Sequence, residues 1–238
     1  MKAIKTILIV GSGNVAWHFR QALGRLEGVQ VKQASSRMAI GGRYDLIIIA
    51  VKDAVIESVA QKIEDKQAIV AHTSGMTGIE VLTPQFENCG VIYPLQTLTK
   101  GIDVPSNSFP LCLEANDETN YCLLDTLAQN ISSLIYNINS AQRKHIHLAA
   151  TLANNFTNHI FGMTKELMDA ANLPFDILFP LIDKTISDIK THEPHSIQTG
   201  AAKRGDITTI DSHRSMLDEQ QRLIYDVLTQ AISLRNKE

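Results

Sequence analysis

The residues able to do chemistry in this chain fall into three groups, and the first is the run Gly11-Ser12-Gly13-Asn14-Val15-Ala16. Set between a strand and a helix, a G-x-G-x-x-A run suits a pyrophosphate. The first glycine allows a tight turn, the second lets backbone N–H groups approach the phosphates, and the small alanine lets helix and strand pack closely. The helix N-terminus adds unpaired N–H groups and partial positive charge. The second group, Ser35-Ser36-Arg37, lies about 20 residues on, where such sites meet the adenosine ribose. No carboxylate stands there to receive a 2′-hydroxyl or repel a 2′-phosphate. Two hydroxyls and a guanidinium can bind that phosphate instead, so NADP(H) is expected over NAD(H), against the alternative of a solvated arginine in an ordinary loop.

The third group sits at the ends of later strands and on a long helix. Ala50-Val51-Lys52-Asp53 is expected to pass over the nicotinamide ribose through its backbone, with the Lys52 and Asp53 side chains in a solvated turn. His72-Thr73-Ser74-Gly75 offers an imidazole that exchanges protons near neutral pH, Thr73 as a cofactor contact, and a serine hydroxyl beside a flexible glycine. The competing reading of His72 is a histidine whose hydrogen bonds lock a loop. Tyr93-Pro94-Leu95-Gln96 is expected at the same edge. His147, Thr151, Asn155 and His159 are spaced by four and form a polar stripe on one face of a helix. Such groups need partners when buried, and a ligand cleft between domains, a dimer interface or ordered water would each provide them. Six of the eight histidines lie in this later part, including His192 and His195, yet none has metal-ligand spacing, and no metal is expected.

The elements that must position these residues follow from periodicity. Short β-branched runs at Thr6–Val10, Gln30–Ala34, Asp45–Val51 and Ala68–His72 alternate with amphipathic stretches at 14–27 and 54–63, the pattern of parallel strands with crossover helices. Shorter strands are expected at 91–93, 111–114 and 133–137, with a helix beginning near Asp117. Beyond Ser140 the spacing becomes helical: one helix over 141–171 ended by Asn172-Leu173-Pro174, a second over 175–190, a polar loop over 193–209, and a third helix over 212–234 capped by Asp211. The expected fold is α/β, a Rossmann-type, mostly parallel, doubly wound sheet over 1–139, followed by an all-α domain over 140–238.

Composition narrows the partners. Lys+Arg 22 against Asp+Glu 25 leaves a net charge of -3, with no broad field for nucleic acid or an anionic membrane, so a small neutral or anionic substrate is expected. The apolar runs Ile7–Val10 and Leu46–Val51 are far shorter than the ~20 residues of a membrane-spanning helix, and Gly11 interrupts the first too early for a signal peptide. Cys89, Cys112 and Cys122 form an odd set without CxxC spacing, which suits a reducing cytoplasm.

The opening motif, Asp45-Leu46-Ile47-Ile48-Ile49-Ala50-Val51-Lys52-Asp53, His72-Thr73-Ser74-Gly75 and Thr199-Gly200-Ala201-Ala202-Lys203-Arg204-Gly205-Asp206 together resemble one family over nearly the whole chain. It comprises Rossmann-like proteins with a helical C-terminal domain of unknown function, commonly assigned as NADP oxidoreductases. They are similar to pyrroline-5-carboxylate reductase and to deazaflavin-dependent NADP oxidoreductase. The resemblance implies that His72 and Ser74 face the nicotinamide, that His147 and Asn155 project from the long helix, and that Arg204 and Asp206 close the site. It also implies a homodimer through the helical domain. Two departures stand out. Relatives usually have proline where this chain has Ala201, and the related 3-hydroxyacid and 6-phosphogluconate dehydrogenases place a catalytic lysine where this chain has Thr151, four before Asn155. Hydride transfer to a C=O or C=N group in an interdomain cleft would then need His72 or His147 as proton donor, or an imine already carrying its charge. A dinucleotide-binding sensor without turnover is the alternative.

Overall fold

Strands β1 (Thr6–Val10) and β3 (Leu46–Ile49) are unbroken apolar runs. Alternate side chains of a strand point to opposite faces, so such runs are stable only where a layer covers each face. The computed structural model, which describes residues 3–105 and 109–235, has this arrangement. Ile7 and Ile9 of β1 pack with Leu46 and Ile48 of β3 beneath Phe19 and Leu23 of helix α1 (Asn14–Gly24) and Leu124 and Leu127 of α3 (Glu118–Ala128). On the other face, Leu8, Val10, Ile47 and Ile49 pack beneath Ile56 and Val59 of α2 (Ile56–Ala60), joined by Leu82 and Phe86.

The remaining strands are β2 (Gln30–Ala34), β4 (Ile69–His72), β5 (Cys89–Pro94), β6 (Leu111–Ala115) and β7 (Ile135–Asn137). They complete a seven-stranded sheet of order β2-β1-β3-β4-β5-β6-β7. Every pairing is parallel except β5 with β6, as expected of a mostly parallel, doubly wound, Rossmann-type sheet. Strand order reverses at β1, which has β2 on one side and β3 on the other. The crevice beyond the carboxyl ends of β1 and β3 is therefore the switch point at which sheets of this kind bind ligands.

Element ends shift where local bonding outweighs periodicity. The first helix stops at Gly24 rather than Glu27, because the Arg25 N–H turns back to Ala22 and Leu23. Gly28, at φ +74, instead forms the turn into β2. The helix expected over 54–63 is a 3-10 turn, Asp53–Val55, followed by the short α2.

The chain divides into two compact units, 1–154 and 155–238. The first includes α4 (Ser140–Ala150), whose start is fixed by a capping box: the Asn139 side chain accepts from the Gln142 N–H while the Gln142 side chain accepts from the Asn139 N–H. The single helix expected over 141–171 is instead α4, a π-helical stretch at Thr151–Phe156, and α5 (Thr157–Ala170). Bonding that changes from i→i+4 to i→i+5 alters the rotation per residue, so the four-residue spacing of Thr151 and Asn155 does not read out as one face of an uninterrupted α-helix. Asn172, at φ +56, ends α5 as anticipated.

Among the described residues the second unit has helices and no strand. It continues with α6 (Phe179–Asp188), then α7 (Ala201–Arg204), which lies inside the segment expected to be a loop. The helix expected over 212–234 with an Asp211 cap is two helices, α8 (Ile207–Ser215) and α9 (Glu219–Arg235). Asp206 caps α8 by accepting from the Thr209 N–H at 3.1 Å. The start of α9 is braced by Asp218 accepting from the Gln221 N–H at 2.9 Å while Gln221 accepts from the Asp218 N–H at 3.3 Å. Among the described residues no helix is long and apolar enough to cross a membrane. The chain ends, residues 1–2 and 236–238, over which the two expected domains extend, lie outside the described residues.

Candidate functional site

The glycine run forms the turn from β1 into α1. Gly11 has φ +131, and a Cβ there would stand 2.1 Å from the Ala50 carbonyl oxygen, so only glycine lets the chain leave β1 this close to the end of β3. Its N–H donates to the Ala34 carbonyl at 3.1 Å, and its carbonyl accepts from Gln33 Nε2 at 2.6 Å. Both bonds tie the turn to β2. Around Gly13, by contrast, a Cβ would meet nothing within 4 Å. Ser12, Gly13 and Asn14 are exposed, Val15 is half-buried, and Ala16 is fully buried against the sheet. The first turn of α1 has neither a side-chain cap nor an acidic residue. No side chain caps these amides and no carboxylate in that turn competes for an anion, which fits a dinucleotide diphosphate.

The loop leaving β2 carries Ser35, Ser36 and Arg37, with Ser35 and Arg37 exposed and Ser36 half-buried. Ser35 Oγ accepts from the Arg37 N–H at 3.2 Å. Ala50 is buried, Val51 half-buried, and Lys52 and Asp53 exposed, the last two beginning a 3-10 turn.

His72 ends β4 fully buried, with both ring nitrogens engaged. Nδ1 accepts from the Ser74 N–H at 3.2 Å, which assigns the ring proton to Nε2, 3.3 Å from the Gly78 carbonyl. Burial, and then the Arg143 charge, lower its pKa from 6.5 to about 4. A neutral histidine with both nitrogens occupied in one loop has the geometry of the loop-locking alternative. Ser74 Oγ accepts from the Met76 and Thr77 N–H groups at 3.0 and 2.8 Å, so that hydroxyl also shapes the loop. Thr73 is buried between them.

That loop is clamped from α4 by Arg143, a fully buried guanidinium. Its Nε donates to the Ser74 carbonyl at 3.1 Å and one terminal nitrogen donates to the Thr77 carbonyl at 2.6 Å. The other terminal nitrogen meets the Glu114 carboxylate. Glu114 also accepts from the Ser140 N–H and hydroxyl at 2.9 and 2.7 Å, and Ser140 Oγ accepts from the Ile79 N–H at 3.0 Å.

One turn further along α4, His147 is half-buried, with Nδ1 3.1 Å from the Tyr93 hydroxyl. A Cβ on Gly75 would lie 2.5 Å from that same Nδ1, so the glycine is what admits the imidazole. Burial raises the Tyr93 pKa, which keeps its hydroxyl protonated. Tyr93 opens the segment expected at this edge, although no role is assigned to it from sequence, whereas Arg143 and Glu114 are not singled out there. Arg143 precedes His147 by four residues, so extending the polar stripe back one turn would have found it.

The N-terminal unit thus brings Gly11 near Ala50 and Val51, and ties the loop of His72, Thr73 and Ser74 to α4 through Arg143, with Gly75 and Tyr93 beside His147. The Thr151 hydroxyl donates to the His147 carbonyl at 3.0 Å. Asn155 and Arg204 belong to the C-terminal unit. Arg204 is mostly exposed, 3.9 Å from the Asp206 carboxylate. Hydrogen bonds from the Thr209 side chain and backbone, more than Arg204, hold the Asp206 pKa below its ordinary value. Among the described residues no group of three or more His, Cys, Asp or Glu is placed to hold a metal ion.

A family model, Domain of unknown function (DUF2520), matches residues 109–232. A Bacteroides fragilis protein provisionally described as an NADP oxidoreductase has a similar structure at TM-score 0.85 and 30% identity, over 97% of this chain and 98% of that one. A Streptomyces aurantiacus imine reductase shares the fold at TM-score 0.62 and 12% identity, over 93% and 92%. So does Plasmodium falciparum pyrroline carboxylate reductase with NADP bound, at TM-score 0.55 and 13% identity, over 98% and 99%. No curated protein matches the chain.

Proposed function

The chain belongs to the DUF2520 family, and on that footing we propose that it is an NADP(H)-dependent oxidoreductase moving a hydride to or from a small C=O or C=N substrate. The observation that carries this reading is the open, uncapped turn from Gly11 to Ala16 at the β1/β3 switch point. Backbone amides of Ser12, Gly13, Asn14 and Val15 would hold the diphosphate, Ser35, Ser36 and Arg37 the 2′-phosphate, and Ala50, Val51, Lys52 and Thr73 the nicotinamide ribose. The cofactor, when bound, supplies or accepts the hydride.

His147 is the preferred proton donor, since His72 is buried and neutral. In the imidazolium form, Nδ1–H donates to the Tyr93 oxygen and Nε2–H is left for the substrate. Giving up that proton leaves a neutral imidazole still held through Nδ1. His72 and Ser74 act by shaping the loop on which Gly75 makes room for His147. Asn155 and Arg204 are carried as substrate contacts by family resemblance, with Arg204 suited to an anionic group.

A homodimer through the helical unit is part of the proposal. Leu223, Val227 and Leu234 lie on one side of α9 and are 68%, 59% and 56% exposed, an apolar stripe that a partner surface would cover. Three free cysteines suit a reducing, cytoplasmic setting.

Titration calorimetry followed by NADPH consumption with a panel of imines and 2- and 3-oxo acids tests the reading. Tighter binding of NADPH than NADH and turnover of at least one substrate are expected. Tight binding without turnover would favour the sensor, and no binding of either nucleotide would overturn the proposal.

A further inference from the structure

β2 is one of the two edge strands of the sheet, so the loop that follows it has a neighbouring strand on one side only. Its path is fixed from elsewhere, by a parallel bridge between Ile40 and Ile63. The Ile40 N–H donates to the Lys62 carbonyl at 3.0 Å, the Glu64 N–H donates to the Ile40 carbonyl at 3.1 Å, and both isoleucines are buried. This bridge sets Lys62 beside the loop, where its half-buried side chain sends Nζ to the Ser36 carbonyl at 3.0 Å. An ammonium has three donors, and one bond to a carbonyl leaves two. Ser35 Oγ accepts from the Arg37 N–H and keeps its own hydrogen to donate. The Glu64 carboxylate is directed to Gly41, further along the loop, where a Cβ would stand 3.0 Å from its oxygen.

We infer that Lys62, which lies outside every motif, is a specificity-determining contact whose ammonium joins Ser35, Ser36 and Arg37 in holding a phosphate monoester on the adenosine ribose. The inference rests on the nucleotide reading above and deepens it. A phosphate monoester carries close to two negative charges at neutral pH, and one exposed guanidinium balances only part of that. A lysine held by the adjacent backbone bridge supplies a second cation with little ordering left to do on binding.

Calorimetry on the full chain with NADPH and NADH tests it. Lys62→Met and Lys62→Gln should each weaken NADPH by about tenfold, the size of one partly solvated charge-assisted contact to phosphate, and leave NADH unchanged. Lys62→Arg should retain the preference. Glutamine removes the charge but keeps an N–H donor on a shorter side chain, and NADH affinity reports any loss of loop bracing, so the two together separate bracing from charge on the phosphate. Equal losses for both nucleotides, or unchanged NADPH binding, would overturn the inference. Should Lys62→Met unfold, Lys62→Gln alone decides. A wild-type chain that binds neither nucleotide would instead defeat the nucleotide reading itself, so the two failures are told apart by which protein fails.

Discussion

The two units of this chain bury their apolar residues in opposite ways. In residues 1–154, sheet strands carry apolar side chains on both faces and helices cover both, so isoleucines such as Ile7, Ile9, Ile47 and Ile48 are fully buried. In residues 155–238, of the described side chains, only Ile210 and Gln221 are buried, while Leu181, Ile207, Met216 and Leu223 are each more than half exposed. An apolar helix surface without cover is unfavourable by roughly 25 cal/mol for each Å² left in water. The first unit has a core of its own; the described helices of the second leave apolar side chains exposed, the surface on which the proposed dimer would form.

The largest expected effect tests that contrast directly. Leu223→Glu combined with Val227→Glu should weaken association of the proposed dimer by about 2–4 kcal/mol, taking roughly 1.5–3 kcal/mol for each fully buried apolar side chain, scaled to side chains that start 68% and 59% exposed. Sedimentation should then show a monomer, with a thermal midpoint that no longer rises with concentration. A variant that stays dimeric would place the interface elsewhere. Arg143→Met should destabilise the N-terminal unit by about 3–5 kcal/mol, because it strands the Glu114 carboxylate and unties the 73–78 loop. This loss, read by thermal melting, should not depend on concentration.

A smaller effect concerns pH. The His72 pKa is about 4 in the folded chain and near its ordinary 6.5 when unfolded, so between those values the unfolded chain binds more protons. The contribution is complete above pH 6.5 and falls as pH drops to 4, by about 3 kcal/mol at most. Denaturant titrations of wild type and His72→Gln should converge in slope against pH only if another group dominates that window. Smallest is Gly75→Ala, whose methyl would displace His147 from Tyr93. Turnover should fall about tenfold, equivalent to about 1.4 kcal/mol in the barrier, with NADPH affinity within about twofold. An equal fall in nucleotide affinity would remove the Tyr93–His147 pair from the proposed proton path.

Strands β1 and β3 were legible because burial on both faces leaves little freedom of composition: Thr6–Val10 runs where periodicity places it, and Leu46–Ile49 lies within the expected Asp45–Val51. The phosphate turn was legible for a related reason, since a backbone that must pass 2.1 Å from where a Cβ would meet Ala50 admits only glycine. The clamp was not legible. Glu114 and Arg143 are 29 residues apart, and nothing local marks their pairing. Helix ends were misjudged where local bonding outcompeted the pattern, by a side chain where Asp206 rather than Asp211 caps α8 and by the backbone where the Arg25 N–H ends α1. The π-helical stretch at Thr151–Phe156 has no compositional mark that separates it from the α-helices on either side.

Gly11 is joined to β2 by its amide, through Ala34, and by its carbonyl, through Gln33. The turn that would grip the part common to both nucleotides and the loop that would distinguish them are therefore opposite ends of one rigid strut. Exchanging Ser35, Ser36 and Arg37 for acidic residues would load that strut as well as reverse its charge. A redesign of nucleotide preference that leaves Gln33 untouched should keep general affinity, whereas one that replaces Gln33 should weaken NADPH and NADH together.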